Sequence, residues 1–227
     1  MRKLGFVLCL LGFACLVFAG VLGVVHIVGT DAGYYHELQM KAGILNRAGI
    51  SEEDLVRLDE ALAQCLKGDA DALHIEAEVF GSVQPAFNEK ELIHMEDCRK
   101  LFELLRSVLY AIVPQGICMA AAGCVLVRDR RRVRLAAWFS PLAIVLPLGL
   151  LAAWAAVDFN AAFTFFHEIL FTNDLWLLNW NTDLLIRLCP SSMFMAMGAR
   201  IGLLGLCAAL AVPALATLLT AVKKERG

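Results

Sequence analysis

Apolar residues along this chain gather into four runs, Leu4–Val28, Ser107–Val127, Leu135–Val157 and Ile201–Val222. Each has the ~20 residues a helix needs to cross a bilayer. Between the first two runs the pattern turns amphipathic. SEED (51–54) sets a serine three residues ahead of an acid, an arrangement that caps free amides at a helix start. Leu55, Leu58, Leu62 and Leu66 then follow at helical spacing until Lys67-Gly68 supplies a stop. HIEAEVF (74–80) alternates polar and apolar and predicts one strand, ended by Gly81 and Pro85. Asn88 and Glu91 repeat the capping pattern at the start of NEKELIHMEDCRKLFELL, and no breaker follows before Pro114. One helix is therefore expected to run from here into the second apolar run. On it His94, Asp97, Cys98 and Leu101 share a face.

The segment between the third and fourth runs is too apolar for a solvated loop. Phe163, Phe166, His167, Leu170 and Phe171 fall on one helical stripe, and Trp176 and Trp180 follow. Tryptophan favours the membrane–water interface. NTDLLIRL (181–188) predicts a short helix capped by Asn or Thr and ended by Pro190. A segment of this kind lies in the interface or re-enters the membrane, packed on other helices. The expected architecture is an all-α integral membrane protein. Its four transmembrane helices (4–28, 101–127, 135–157 and 201–222) carry a small helical extracytoplasmic domain (29–100), a cytoplasmic loop (128–134), an outer interfacial segment (158–200) and a cytoplasmic tail (223–227).

Composition and charge orient this frame. The 227 residues are 59% hydrophobic with a mean hydropathy of +0.68, which argues against a soluble protein. The net charge of −2 hides a segregation. Arg2 and Lys3 precede the first run, Arg128, Arg130, Arg131, Arg132 and Arg134 separate the second from the third, and Lys223, Lys224 and Arg226 follow the fourth. Short basic loops stay in the cytoplasm, so both termini are expected inside and the segments 29–100 and 158–200 outside. Topogenic charge accounts for these clusters better than nucleic-acid binding does. The first run is longer than the apolar core of a cleaved signal peptide, and Cys15 after Gly-Phe-Ala is a poor lipidation site, so the run is expected to be a retained span. Of eight cysteines only Cys65, Cys98 and Cys189 are expected outside, which allows one bridge and requires none.

Candidate chemistry concentrates in two places that this topology brings to the outer leaflet. His94 has Glu96 and Asp97 nearby in sequence, and His167 has Glu168, Asn173 and Asp174. Imidazole is costly to surround with apolar groups unless its nitrogens are satisfied. Each histidine is thus either a hydrogen-bonded structural residue or a group that exchanges protons near neutral pH. A metal site is not expected, since HEILF has Phe171 where a zinc peptidase needs its second histidine. Cys98, four residues after His94, offers a thiol–imidazole pair or an ordinary packed thiol. No GxSxG, P-loop or Gly-rich dinucleotide turn is present, which removes the common hydrolase and nucleotide-binding readings. Arg200, at the outer end of the fourth run, either snorkels or lines a cavity.

HMEDCRKLF (94–102) and FFHEILFTNDLWLLNWNTDLLIRLCP (165–190) resemble the two signature regions of the bacterial lipoprotein intramolecular transacylase family, Lit. The resemblance covers nearly the whole chain. It implies that His94 and His167 are a catalytic pair, supported by Asp97, Phe166, Phe171, Asn173, Trp176, Asp183 and Arg200. The implied substrate is a lipoprotein whose N-terminal cysteine carries S-diacylglycerol and a free α-amine. Its sn-2 acyl chain moves to that amine and leaves a lyso-lipoprotein. Base and acid roles are expected on His94 and His167 respectively. Diacylglyceryl lipoproteins and membrane lipid are the implied partners, with no metal, cofactor, nucleotide or nucleic acid. The chain departs from the family pattern at Asn179-Trp180, at Ser191 and Ser192, and at Cys98, where an aliphatic residue is usual. From the residues alone, a non-catalytic lipid- or metal-binding membrane protein and an ester hydrolase using the same histidines remain as alternatives.

Overall fold

The computed structural model describes residues 1–222. Lys223, Lys224 and Arg226, which enter the topology argument above, lie outside the described residues. The elements in chain order are α1 (Arg2–Gly29), α2 (Ala32–Lys41), α3 (Ile44–Ala48), α4 (Glu52–Lys67), β1 (Glu76–Val79), β2 (Ser82–Pro85), α5 (Glu89–Val127), α6 (Arg130–Phe139), α7 (Leu142–Val157), α8 (Phe159–Leu170), α9 (Leu184–Leu188) and α10 (Ser191–Val222). Four stretches are long and apolar enough to cross a membrane: α1, α5, α6 with α7, and α10. The protein is multi-pass and predominantly helical, as the hydropathy pattern predicts.

The chain divides into two compact units. One comprises Met1–Val25, Arg106–Ala153 and the chain from Ile201 onward. Its core gathers Cys9, Phe13, Ala120, Val127, Val133, Ala136, Ala137 and Ala216. Here α1 and α5 touch backbone to backbone. A Cβ at Gly12 would stand 2.4 Å from the amide nitrogen of Ala120, and one at Gly123 would stand 2.5 Å from that of Cys9. In lipid, helices associate through this kind of close van der Waals packing between small residues, because the apolar surroundings give no hydrophobic drive. The third span differs in detail from expectation. Its helix starts inside the basic cluster at Arg130, capped by Asp129, and is interrupted at Ser140-Pro141.

The second unit, His26–Leu105 with Trp154–Arg200, has its own core around Ile44, Leu55, Leu58, Leu62, Phe87 and Leu188. The helix expected after SEED is α4, and the Ser51 hydroxyl accepts the Asp54 amide. The acid does not close a reciprocal box. Asp54 instead accepts from Arg57 and from the amide of Glu78, which ties β1 to α4. The single strand expected at 74–80 is one half of a hairpin. β1 pairs antiparallel with β2 in the register Glu76↔Pro85 to Val79↔Ser82. The partner SVQP is fully exposed and lacks an alternating pattern, so periodicity does not reveal it. Phe80 and Gly81, both at positive φ, make the turn.

Candidate active site

The start of α5 is where the expected capping box closes in full. The Asn88 side chain accepts the Glu91 amide, and the Glu91 carboxylate accepts the Asn88 amide at 2.8 Å. The helix then runs unbroken through Pro114, and its apolar run begins only at Ser107. His94 therefore sits in the polar opening turns of α5. His167 sits in the last turn of α8, which Asp158 caps through the Ala161 amide.

These two turns meet. The imidazole centroids of His94 and His167 are 6.2 Å apart with an interplanar angle of 32°. Each residue is only 8% exposed. Phe171 flanks the pair in contact with both rings, at 5.1 Å from His94 and 5.6 Å from His167. Phe163, Phe166 and Trp176 complete the aromatic wall around His167, at 4.2, 5.5 and 4.9 Å. The aromatic stripe expected on the helix thus forms one wall of the pair.

Burial decides the electrostatics of both rings. Loss of solvent pushes the His94 pKa down to about 4, the neighbouring His167 adds to this, and Asp97 only partly opposes it. His167 is lowered by burial as well, against the opposing bond to the Phe163 carbonyl. At neutral pH both are uncharged.

The nitrogens are not equivalent. His167 Nδ1 lies 2.7 Å from the carbonyl oxygen of Phe163, which can only accept, so Nδ1 carries the proton. Nε2 of a neutral His167 is then a lone pair, free of any hydrogen bond among the described residues. In His94, Nε2 is 3.7 Å from the Cys98 sulfur, while Nδ1 is buried with no partner. The thiol–imidazole pairing open at positions 94 and 98 is therefore present.

The other expected residues divide into three groups. Asp97 and Asn173 join, the amide donating to the carboxylate at 2.9 Å, and this bond ties the loop after α8 to α5 beside His94. Among the described residues, the bonds of Asp183 lead away from the two rings. Asp183 braces the outer segment by accepting from Asn88, from the Asn179 amide and from Thr182. Arg200 lies inside α10, 3.9 Å from Asp31 and 4.0 Å over the Tyr34 ring.

The expectation that Asn or Thr caps the helix of NTDLLIRL needs correction. Asp183 holds the N-cap position of α9 without a side-chain bond. The Leu185 amide is instead capped from another helix, by Glu91 at 2.6 Å. Glu91 is 1% exposed, so one buried carboxylate closes the start of α5 and of α9 together. Lys90 adds a bond to the Leu177 carbonyl. No sequence spacing reports this double duty, because the partners are ninety-four residues apart. Removing Glu91 strands two amides, each costing about 1–3 kcal/mol when buried and unpaired. Glu91→Ala is expected to lower the thermal midpoint of the detergent-purified protein by several degrees, and more than Glu89→Ala does.

A cavity of about 350 Å³ adjoins the pair, lined by Glu168, Phe171, Asn173, Asp174 and Trp176 among others. It shares Phe171 and Trp176 with the aromatic wall, and neither histidine lines it. Among the described residues, no group of three or more His, Cys, Asp or Glu is placed to hold a metal ion.

Comparison with known proteins shows the family and the fold. A family model described as lipoprotein intramolecular transacylase Lit matches residues 10–194. The fold is that of a solved structure of the membrane-integral lipoprotein intramolecular transacylase Lit from Bacillus cereus. The TM-score is 0.73 at 20% identity, over 100% of this chain and 99% of that one. Two variants of the Bacillus cereus protein, one with a histidine replaced by arginine and one with a histidine replaced by alanine, match at TM-scores of 0.69 and 0.67. Their identities are 20% and 22%; both matches cover all of this chain, and 94% and 96% of those chains. No curated protein matches in sequence.

Proposed function

The chain belongs to the lipoprotein intramolecular transacylase family Lit, a family of acyltransferases, and from that premise we propose the reaction and the residues that carry it. The substrate is an S-diacylglyceryl-cysteine lipoprotein with a free α-amine. Its sn-2 acyl group passes to that amine. An ester C–O bond breaks, an amide C–N bond forms, and the proton lost by nitrogen ends on the glycerol oxygen.

The observation that carries this reading is the buried pair of neutral histidines, walled by aromatics, in two turns far apart in sequence. Nucleophile and electrophile belong to one molecule. The site needs only to fold the lipid head back on itself, through a cyclic transition state of N, Cα, Cβ, S, CH2, CH, O and the carbonyl carbon, and to move one proton. Phe163, Phe166, Phe171 and Trp176 offer the surface for acyl chains.

The nitrogen geometry favours roles opposite to those expected from sequence. His167, with Nδ1–H held by the Phe163 carbonyl, presents Nε2 as the base. It takes the proton from the attacking amine and returns it to the departing glycerol oxygen. His94, neutral and with Nδ1 unpartnered, is the donor for the developing oxyanion. Asp97 and Asn173 hold the two elements together. The site faces the extracytoplasmic side, with both termini inside.

The mass spectrum of a lipoprotein N-terminus, from cells with and without this protein, tests the reading. The N-acyl, S-monoacylglyceryl form is expected only when the protein is present. A spectrum unchanged by its removal overturns the proposal. Reporter fusions after Gly81 and Asn181 are expected to be active outside, and one after Arg134 inside.

The pH dependence follows from burial. A histidine of ordinary pKa, ~6.5, is half protonated at that pH. Both rings here are lowered, so the acid limb of kcat is expected below pH ~6.5. Stability carries the same sign. The folded pKa values lie below the unfolded ones, so this contribution is complete above pH ~6.5 and is lost as pH falls towards that of folded His94, about 4. Chemical denaturation at pH 7.5 and pH 5 checks this second limb.

A further inference from the structure

We propose that Cys98 is a positioning residue: its S–H donates to Nε2 of His94 and so fixes the tautomer in which His94 offers its Nδ1–H to the substrate. The inference rests on the two-histidine reading above.

The geometry supplies two linked facts. Cys98 lies one helical turn after His94 on α5, and its sulfur is 3.7 Å from Nε2. The other ring nitrogen, Nδ1, is buried without a partner in a side chain more than nine-tenths buried. A neutral imidazole has one N–H and one lone pair, so the thiol contact allows two arrangements. In one, Nε2–H points at sulfur and Nδ1 is a buried, unanswered lone pair. In the other, S–H points at Nε2 and Nδ1–H is a buried, unanswered donor.

Sulfur is a weak acceptor and imidazole nitrogen a good one, which favours the second. The thiol is in no position to ionise and reverse this. Burial pushes its pKa up to about 12, and the neighbouring Cys65 and Asp97 push the same way. The second arrangement also leaves an orphan donor rather than an orphan acceptor. That donor matches what the reaction lacks, because His167 already supplies the lone pair. The two rings are then set in complementary tautomers, one by a backbone carbonyl and one by a thiol. Cys98 does not touch the reacting atoms in this scheme and acts only through His94.

The test reads the tautomer directly. Protein labelled with 15N-histidine, in detergent at pH 7.5, is measured by two-bond 1H–15N correlation as wild type, Cys98→Ala and Cys98→Ser. His94 is expected as the Nδ1–H tautomer in wild type and in Cys98→Ser, whose hydroxyl can donate. It is expected mainly as Nε2–H in Cys98→Ala, since free imidazole prefers that form. His167 stays Nδ1–H in all three, which also reports an intact fold.

With a synthetic diacylglyceryl lipopeptide, kcat of Cys98→Ala is expected to fall about three- to tenfold, following the smaller share of the productive tautomer. KM is expected to be unchanged, and Cys98→Ser to recover most of the rate. A wild-type His94 in the Nε2–H form overturns the proposal. So does a tautomer that moves in Cys98→Ala with no change in kcat. The two-histidine reading is judged separately, on His94→Ala. If that variant kept full turnover while the tautomers behaved as expected, the reading would fail and the hydrogen bond would stand.

Discussion

Replacing either histidine is expected to remove nearly all transacylation, and replacing both is expected to be scarcely worse than replacing one. His94→Ala and His167→Ala should each lower kcat by about 10²–10⁴-fold, the usual contribution of a positioned proton-transfer group. The shortfall from additivity is the informative part. In the proposed reaction, proton transfer at His167 and oxyanion donation at His94 serve a single transition state, so losing one leaves the other with little to stabilise. Two structural histidines would behave otherwise. Each lies against Phe171, and each deletion would open space in the aromatic wall, giving graded losses of stability. Gln variants, which keep bulk and a hydrogen-bonding end, separate the cases. A structural role would be largely rescued by His167→Gln, and a proton-transfer role would not. Initial rates on a lipopeptide, paired with thermal midpoints of each variant, decide between them. Losses that multiply in the double variant would argue for separate roles.

Much of the frame is legible in the sequence because its signals are local. Span length, helical period and capping residues are each contained within a few turns, and α1, α4, α5 and α8 appear where those signals put them. The hairpin is half legible. HIEAEVF alternates because β1 buries one face, whereas SVQP is exposed throughout and has no burial pattern to display. The aromatic wall is legible for the same reason as the helices, since Phe163, Phe166 and His167 share one face of α8.

What the chain does not display in advance is any feature made by two distant segments. Glu91 reads as an ordinary N-terminal acid, and only the fold shows its carboxylate serving the Leu185 amide. Asp183 reads as a site residue through the family resemblance, and Arg200 because charge near a membrane is costly. The structure accounts for both by other partners: Asn88, Thr182 and the Asn179 amide for the first, Asp31 and Tyr34 for the second. The proposed assignment of base and donor is equally out of reach of the sequence. It turns on the Phe163 carbonyl and the Cys98 thiol, each one turn from a histidine, and a residue's letter does not state which ring nitrogen will face it.

A lipopeptide whose α-amine is already acylated is expected not to react at all, and a mixture of isotopically heavy and light lipopeptides is expected to give no crossed products. Both results follow if the acyl acceptor is the substrate's own amine. An amide nitrogen has its lone pair delocalised into the carbonyl and cannot attack, so blocking the amine removes the nucleophile and leaves the lipid unchanged. With a free amine, the acyl group only changes position. Total mass stays constant while the sn-2 ester disappears and the N-terminus becomes closed to Edman degradation. The heavy chain stays on the heavy peptide because nothing in the proposed path leaves the molecule. Hydrolysis predicts a different pattern, with free fatty acid released from both the blocked and the free substrate and a loss of mass from each. Crossed products would demand transfer between molecules, either by direct attack of one lipopeptide's amine on another's ester or through a covalent acyl-enzyme. The thiol nearest the pair is a poor candidate for that intermediate: Cys98 is pushed up to about 12 by burial and holds almost no thiolate at neutral pH. Purified protein, two synthetic lipopeptides of which one is isotopically heavy in both peptide and acyl chains, and one N-acetylated control suffice, read by mass spectrometry of the N-terminal fragment. Crossing above the level seen without enzyme would overturn the intramolecular path even if both histidines proved essential.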